Sequence, residues 1–369
     1  MEVLARANEL QKSGMDVIHL EVGEPDFPTP APIVEAAHAA LQQGFTKYTP
    51  AQGIEPLRMA IAQHYRDRYE IDVDHRRIFV TAGGSGALLL ATALTLNPGE
   101  AMMMTDPGYP CNRHFMTSFS GEAQLIPVGP ADHYQLSPQL VEQHWHENTA
   151  GVLLASPANP TGALIEPDAL ADIAAIVRRR DGFLLVDEIY HGLQYDNASV
   201  PSALEFDAIV VNSFSKYFGM TGWRLGWLVV PESAIASVEK LAQNLFICPS
   251  SISQQAALAA FEPESQEIME HQRIAFEARR NLMVDGLRQL GFGIPQTPGG
   301  AFYVYAKLPD TMLLDSEAFC MQLLEGYGVA ATAGTDFGFF EADRHVRFSY
   351  ANNVQALEKA LVRIEQALL

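Results

Sequence analysis

The sequence predicts an α/β protein with a mostly parallel sheet sandwiched by helices, together with a smaller α+β domain. Two observations support this prediction. Through the middle of the 369-residue chain, short and continuously apolar runs alternate with longer helical patterns, as in parallel sheets buried on both faces. After about residue 265 the pattern changes to a long charged helix and several short strands. We therefore expect a large domain at residues 36–270 and a smaller domain built from both termini, at residues 1–35 and 271–369.

Six apolar runs are expected to be strands of the large sheet: 78–82, 101–106, 151–156, 183–188, 208–213 and 225–230. Helical patterns fill several of the intervals between them, including 86–96 and 167–180. The uncharged stretch 78–99 contains Gly-Gly-Ser-Gly and ends in Asn-Pro-Gly. It is therefore predicted to be a strand, a turn and a buried helix rather than a transmembrane span. In such sheets, ligands bind beyond the carboxyl ends of the strands.

The smaller domain is predicted from the last third of the chain. A long charged helix pattern is followed by three short apolar runs, AFYVYAKL, GVAATAG and HVRFSY, and then by a final helix. The N-terminal segment MEVLARANELQKSGMD is amphipathic and charged, without the apolar core of a signal peptide. We expect this first helix to join the smaller domain.

The charge balance and the cysteine content exclude several classes of partner and site. With 44 acidic and 24 basic residues the net charge is −20, so nucleic acid and anionic membrane surfaces are not expected partners. The three cysteines are scattered and form no CxxC, which indicates reduced thiols and a cytoplasmic protein. His144 and His146 lie in an acidic linker without an evident third ligand, so no metal site is expected.

The segment 211–227, VNSFSKYFGMTGWRLGW, carries the strongest chemical signal. An apolar strand runs directly into Ser213, Ser215 and Lys216, and Arg224 follows eight residues after the lysine. Burial lowers the pKa of a lysine and makes its amine a nucleophile toward an aldehyde. The two hydroxyls and the guanidinium could clamp an anion. Taken alone, however, the segment is equally compatible with a surface lysine at the end of a strand.

This segment resembles the lysine motif of fold-type I aminotransferases of the aspartate aminotransferase superfamily, S-x-S-K followed after a gap by G-W-R-x-G. Eight further segments resemble that family in the same order: EPDFPTP (24–30), KYTPAQGIEPLR (47–58), TAGGSGAL (81–88), DPGYP (106–110), SPANPTG (156–162), VDEIY (186–190), PGGAFYV (298–304) and VRFSY (346–350). Each segment alone is weakly diagnostic, but nine in order are specific. The resemblance implies a seven-stranded large sheet and a transaminase that carries pyridoxal 5'-phosphate as a Schiff base on Lys216.

The resemblance also implies how the ring of the cofactor is held. Asp187 would keep a proton on the ring nitrogen, where a buried carboxylate makes a charge-assisted hydrogen bond. Tyr190 and Asn159 would bond the phenolate oxygen, and Tyr109 would stack on the ring. Lys216, Asp187 and Tyr190 are thus the expected catalytic residues. Without the lysine segment, Asp187 would be interpreted as a strand-end aspartate that caps a turn, Asn159 as part of a loop and Tyr109 as an ordinary turn residue.

The phosphate of the cofactor is expected at a helix N-terminus, where backbone amides bind anions. The resemblance places it at Gly84 and Ser85, with Ser213, Ser215 and Arg224 completing the site. A dinucleotide-binding turn is disfavoured because G-x-G-x-x-G would need a glycine at position 89, which is Leu.

A homodimer with shared active sites is the expected assembly, because Tyr48 resembles a tyrosine that reaches the phosphate of the neighbouring subunit. Similar proteins are already within their first helix at the position of Met1, so the sequence leaves open whether the natural chain begins earlier.

Substrate binding is assigned by the same resemblance. Arg347 matches the arginine that grips the α-carboxylate, for which a planar guanidinium is suited. Gly23 would let the backbone approach the substrate closely, and Asn159 would also contact it. In aspartate-specific members of this branch a basic residue can occupy the position of Ser85, so we expect a neutral or aromatic L-amino acid as donor and a 2-oxo acid as acceptor, with ping-pong kinetics.

Several alternatives remain open from the sequence. An aspartate-specific aminotransferase, a C–S β-lyase or an aminocyclopropane-carboxylate synthase-like enzyme would share the same lysine, aspartate and arginine. A regulatory protein that binds the cofactor and DNA is disfavoured, because such proteins carry an appended basic domain and this chain is acidic.

Overall fold

The computed structural model describes residues 2–369. The helices are α1 Glu2–Lys12, α2 Ala31–Gln42, α3 Glu55–Tyr69, α4 Gly83–Thr95, α5 Pro110–Ser118, α6 Pro138–His144, α7 Pro167–Arg179, α8 Ile235–Phe246, α9 Ser251–Leu258, α10 Pro263–Gln289, α11 Ser316–Tyr327 and α12 Val354–Leu368. The strands are β1 Ile18–His19, β2 Ile78–Thr81, β3 Ala101–Asp106, β4 Glu122–Pro127, β5 Thr149–Ala155, β6 Phe183–Asp187, β7 Ile209–Ser213, β8 Gly226–Val229, β9 Tyr303–Lys307, β10 Val329–Ala330, β11 Thr332–Ala333 and β12 His345–Ser349.

The predicted mostly parallel, seven-stranded sheet is confirmed. Its strand order is β2-β8-β7-β6-β5-β3-β4. Strand β8 is antiparallel to both of its neighbours, and every other neighbouring pair is parallel. Alternate residues of the central strands enter two separate apolar cores, with Leu153 and Leu185 in one and Leu154 and Val186 in the other. This burial on both faces explains why these strands read as continuous apolar runs.

Strand β4 was missed by the sequence analysis. It forms the edge of the sheet, pairs only with β3, and is largely half-exposed or exposed. Its sequence EAQLIP contains a glutamate, a glutamine and a proline, because an edge strand faces solvent and need not donate to a further neighbour. The predicted strand at GVAATAG is two very short strands, β10 and β11, which belong to different sheets.

Two small sheets contain the remaining strands. Strands β11, β12 and β9 form an antiparallel sheet in that order, and β1 pairs in parallel with β10. The pairing of Ile18 with Val329 brings a segment near the start of the chain to one near its end. The predicted domain boundaries remain a prediction. In the part of the chain that the structure describes, no helix combines the length and the apolarity needed to cross a membrane.

Candidate active site

A cavity of about 550 Å³ lies at the carboxyl ends of the central strands, between the large sheet and the sheet that contains β12. Eleven of the residues singled out in the sequence line it: Gly23, Gly84, Ser85, Tyr109, Asn159, Asp187, Tyr190, Ser215, Lys216, Arg224 and Arg347. The parallel strands bring several of these residues together, since their carboxyl ends meet at one edge of the sheet. Arg347 comes from β12 of the small antiparallel sheet, and Gly23 follows β1.

Lys216 follows β7 and extends into the cavity. Its Nζ donates a hydrogen bond to the Gly23 carbonyl oxygen at 2.5 Å. Burial, together with the Arg347 guanidinium, lowers the pKa of Lys216 to about 8, while the Glu24 carboxylate acts in the opposite direction. More of this amine than of an ordinary lysine is therefore unprotonated near neutral pH, as nucleophilic attack on an aldehyde requires.

Asp187 is the last residue of β6 and is buried. One of its oxygens accepts a hydrogen bond from the Ile189 backbone N–H at 3.1 Å. Burial raises the pKa of Asp187 to about 6, against the opposing effects of that N–H and of Lys216. This carboxylate retains acceptor capacity that the described residues do not use, which suits a protonated ring nitrogen.

The proposed phosphate position lies where β2 passes into α4. Gly83 begins this helix with φ 72°, and a Cβ there would lie 2.7 Å from Nη2 of Arg224. Glycine is therefore required for the helix start to approach the guanidinium. The first amides of α4, the Ser215 hydroxyl and Arg224 together form a cluster of donors suited to a phosphate.

Ser213 does not line this cavity. Its Oγ lies 2.9 Å from Ser215 Oγ and accepts a hydrogen bond from the Ser215 backbone N–H at 3.1 Å. Ser213 therefore contacts Ser215 and supports its position. The predicted contact of Ser213 with the phosphate remains a prediction.

Tyr48 also lies apart from the cavity of its own chain, and it is 82% exposed. Its predicted contact with the phosphate requires a neighbouring subunit and remains a prediction.

Arg347, on β12, is held between aromatic rings. Its Cζ lies 4.3 Å from the ring centre of Tyr303 and 4.7 Å from that of Phe337. Nη1 donates to Asn159 Oδ1 at 3.0 Å and Nη2 donates to the Glu21 carbonyl oxygen at 2.6 Å. Nε is buried and has no hydrogen-bond partner among the described residues. A buried guanidinium with an unused donor is suited to a carboxylate from outside the chain.

Tyr303 is a cavity residue that the sequence analysis did not assign, although it lies in the quoted segment PGGAFYV. Its hydroxyl lies 2.9 Å from that of Tyr190. The apolar side chains of Val22, Leu88 and Ile189 were likewise missed as lining residues. Single apolar residues carry no chemical signal in a sequence, so only the fold could identify them.

The residues that line the cavity fit pyridoxal phosphate. The donors at the start of α4 suit its phosphate, the buried Asp187 suits its ring nitrogen, and the amine of Lys216 suits its aldehyde. Tyr109, at the start of α5, supplies an aromatic ring next to the same space. Residues 2–369 contain no group of three or more His, Cys, Asp or Glu side chains able to hold a metal ion.

Comparisons with known proteins reveal extensive similarity. The family model "Aminotransferase class I and II" matches residues 15–364. Valine–pyruvate aminotransferase of Mycobacterium tuberculosis is 41% identical over 367 residues, which cover 99% of this chain and 94% of that protein. Aspartate aminotransferase of Thermotoga maritima is 35% identical over 375 residues, which cover 100% and 96%.

Solved structures match equally well. The crystal structure of an aminotransferase from Mycobacterium tuberculosis has a TM-score of 0.96 at 40% identity and covers 100% of this chain and 95% of that chain. Aspartate aminotransferase of Thermus thermophilus with maleate has a TM-score of 0.94 at 34% identity, with coverage of 99% and 95%. The similarity therefore extends over nearly the whole chain.

Proposed function

Because the chain belongs to the class I and II aminotransferase family, whose members use pyridoxal phosphate, we propose that it transfers the amino group of a neutral or aromatic L-amino acid to a 2-oxo acid by a ping-pong mechanism. The observation that carries this substrate class is the set of cations in the cavity. Lys216, Arg224 and Arg347 are the only cationic side chains among the described residues that line it. Each has a separate task, so none is left to bind a second carboxylate on the substrate.

Three further observations support a neutral donor. The position at which a basic residue can grip an acidic side chain is Ser85 in this chain. The cavity also presents Val22, Leu88 and Ile189, which favour apolar groups. The relative named valine–pyruvate aminotransferase is 41% identical to this chain, and the relative named aspartate aminotransferase is 35% identical.

Each residue has a distinct part in the proposed reaction. Bound pyridoxal phosphate supplies an electron sink that stabilises negative charge at the substrate Cα. Lys216 is the amine that bonds to the aldehyde carbon, and its free form accepts the proton from the substrate Cα as general base. Asp187 holds a proton on the ring nitrogen. Arg347 binds the α-carboxylate and so orients the Cα–H bond toward Lys216.

Tyr190 and Asn159 are proposed to contact the phenolate oxygen of the cofactor. Tyr190 and Asn159 both line the cavity, and Asn159 Oδ1 accepts a hydrogen bond from Arg347 Nη1 at 3.0 Å. We further propose that two chains associate as a homodimer, so that the exposed Tyr48 of each contacts the phosphate site of the other. In this arrangement residues 36–270 form the large domain and the two terminal segments form the smaller one.

Replacement of the proposed nucleophile tests the reaction. Lys216→Ala is expected to abolish transamination and the yellow absorbance of the bound cofactor, because no other amine lies in the cavity among the described residues. Lys240→Ala, on exposed α8, is the matched control and should retain both. Retention of the absorbance and turnover in Lys216→Ala would contradict the proposal.

A panel of amino donors tests the substrate class. Valine, alanine, phenylalanine and tyrosine are expected to convert the cofactor to its amino form faster than aspartate or glutamate do. A strong preference for aspartate or glutamate would refute the neutral-donor proposal. Release of ammonia and pyruvate from a β-substituted donor, without accumulation of the amino form, would identify the chain as a lyase instead.

A further inference from the structure

Tyr303 contacts three residues of the candidate active site at once. It is the first residue of β9 and is 1% exposed. Its hydroxyl lies 2.9 Å from the Tyr190 hydroxyl, and its ring centre lies 4.3 Å from Cζ of Arg347. A Cβ on Gly23 would lie 2.5 Å from the Tyr303 hydroxyl, so glycine is required there. The same Gly23 accepts the hydrogen bond from Lys216.

The ring of Tyr303 is held in place by the sheet that also carries Arg347. Strand β9 is antiparallel to β12, with Tyr303 opposite Ser349 and Tyr305 opposite Arg347. Tyr303 and Arg347 are therefore diagonal neighbours on one face of this sheet. The ring of Phe302 lies 4.7 Å away between centroids and limits rotation from the other side. The ring is thus a fixed support for the guanidinium.

The hydrogen bond between the Tyr303 and Tyr190 hydroxyls affects where the hydrogen of Tyr190 points. A tyrosine hydroxyl has a single hydrogen to donate. The Tyr303 hydroxyl has no hydrogen-bond partner other than Tyr190 among the described residues. When Tyr303 donates to Tyr190, the hydrogen of Tyr190 remains available to an acceptor in the cavity. The acceptor there is the phenolate oxygen, if the proposed function holds.

We propose that Tyr303 is a positioning residue with two separable parts. Its hydroxyl directs the proton of Tyr190 toward the cofactor, and its ring fixes the Arg347 guanidinium for the substrate carboxylate. This inference rests on the proposed function and adds to it a residue that acts through two others. Loss of the hydroxyl should change the absorbance of the bound cofactor, and loss of the ring should weaken substrate binding. Two substitutions therefore distinguish the two parts.

Tyr303→Phe tests the hydroxyl through the absorbance of the bound cofactor. A hydrogen bond to the phenolate oxygen reduces the negative charge next to the protonated nitrogen that Lys216 contributes to its bond with the cofactor. The proton on that nitrogen is then lost more easily. Without the Tyr303 hydroxyl this bond weakens, and the pH midpoint of the absorbance change should rise by about 0.5 to 1 pH unit. The KM for the amino acid should stay unchanged, because the ring remains beneath Arg347.

Tyr303→Leu tests the ring through substrate binding. The probe is 2-aminoisobutyrate, which carries an α-carboxylate but no Cα proton, so its affinity is measured without turnover. Loss of the cation–π support should weaken binding about 10-fold. Tyr303→Phe should restore wild-type affinity for this probe, which a general structural defect would not allow.

Tyr305→Phe is the matched control. Tyr305 lies two residues along the same strand, is also buried, and its hydroxyl has no hydrogen-bond partner in the described chain. Removal of that hydroxyl should leave both the pH midpoint and the probe affinity unchanged.

The outcomes separate this inference from the proposed function. If wild-type protein shows no cofactor absorbance and no response to amino donors, the proposed function fails. If wild type responds but Tyr303→Phe keeps the wild-type pH midpoint, the role of the hydroxyl is refuted. If Tyr303→Leu folds and binds the probe as tightly as wild type, the role of the ring is refuted. If it does not fold, Tyr303→Met replaces it in the same measurement.

Discussion

Two adjacent acidic residues, Asp187 and Glu188, are both buried, but their surroundings differ. Asp187 faces the cavity and accepts one hydrogen bond, from the Ile189 N–H. Glu188 is fully buried, and its carboxylate accepts hydrogen bonds from the Ser202 hydroxyl at 2.9 Å and from the Ala203 N–H at 2.7 Å. Burial raises the pKa of both groups, to about 6 for Asp187 and about 8 for Glu188.

The surroundings of Glu188 form a closed polar cluster. His191 lies 3.5 Å from Glu188, and its ring nitrogen lies 2.8 Å from the Tyr69 hydroxyl. Every member thus has its partner within the chain. The cavity around Asp187 instead retains unused acceptor and donor capacity. The comparison teaches that the number of internal partners, rather than burial or a shifted pKa, separates a group kept for a ligand from a group that stabilises the fold.

The largest expected effect is that of Asp187→Asn on activity. Loss of the charge that holds the ring proton should lower kcat by about 10²- to 10³-fold. The free energy of unfolding of the cofactor-free protein should stay unchanged or rise, because the variant removes a buried and sparsely bonded carboxylate. Steady-state kinetics and urea unfolding measure the two effects. A destabilised variant with nearly full activity would contradict the comparison.

The opposite pattern is expected for Glu188→Ala. The Ser202 hydroxyl and the Ala203 N–H lose their acceptor, which should lower the free energy of unfolding by about 1 to 3 kcal/mol. The kcat of the folded enzyme should remain close to wild type, since Glu188 does not line the cavity. Urea unfolding and kinetics on the same preparation test this. A large loss of kcat without loss of stability would contradict the distinction between Asp187 and Glu188.

The smallest expected effect is a pH dependence of stability caused by Glu188. Its pKa is about 8 in the folded protein against 4.5 for the ordinary group, so the folded state keeps a proton that the unfolded state has lost. The free energy of unfolding should therefore fall as pH rises through this range. His191, whose pKa burial lowers from 6.5 to about 3, is neutral in the folded protein across this range, and in the unfolded protein it loses its proton around pH 6.5.

The informative window thus lies between pH 6.5 and 8. Glu188→Gln cannot titrate, so its stability should fall less steeply than that of wild type across this window. Denaturant unfolding of cofactor-free protein at several pH values measures the slopes. Equal slopes for the two proteins would show that Glu188 is not the titrating group.

The chemical residues at strand ends could be predicted from the sequence, because a polar residue directly after an apolar run is a local signal. Lys216 was singled out in this way, whereas Asp187 and Arg347 were assigned by resemblance. The distinction between Ser213 and Ser215 could not be predicted, since only the fold shows that Ser215 lines the cavity and Ser213 does not. The role proposed for Tyr303 depends on Arg347, its diagonal neighbour on β12, and no local pattern records that β9 and β12 pair.

The strands divide in the same way into those with a local sequence signal and those without one. Buried central strands have apolar sequences that identify them, whereas the edge strand β4 is partly polar and was missed. The two-residue strands β10 and β11 are too short to show a period, so only their partners in other parts of the chain define them.

Pairing of β1 with β10 delays completion of the cavity until late in translation. Gly23 lies shortly after β1. The strand that pairs with β1, which is β10, and the strand that carries Arg347 are made only after the whole large sheet has left the ribosome. Before β12 is made, a nascent chain therefore contains Lys216 and Asp187 but not Arg347, the residue proposed to bind the substrate carboxylate.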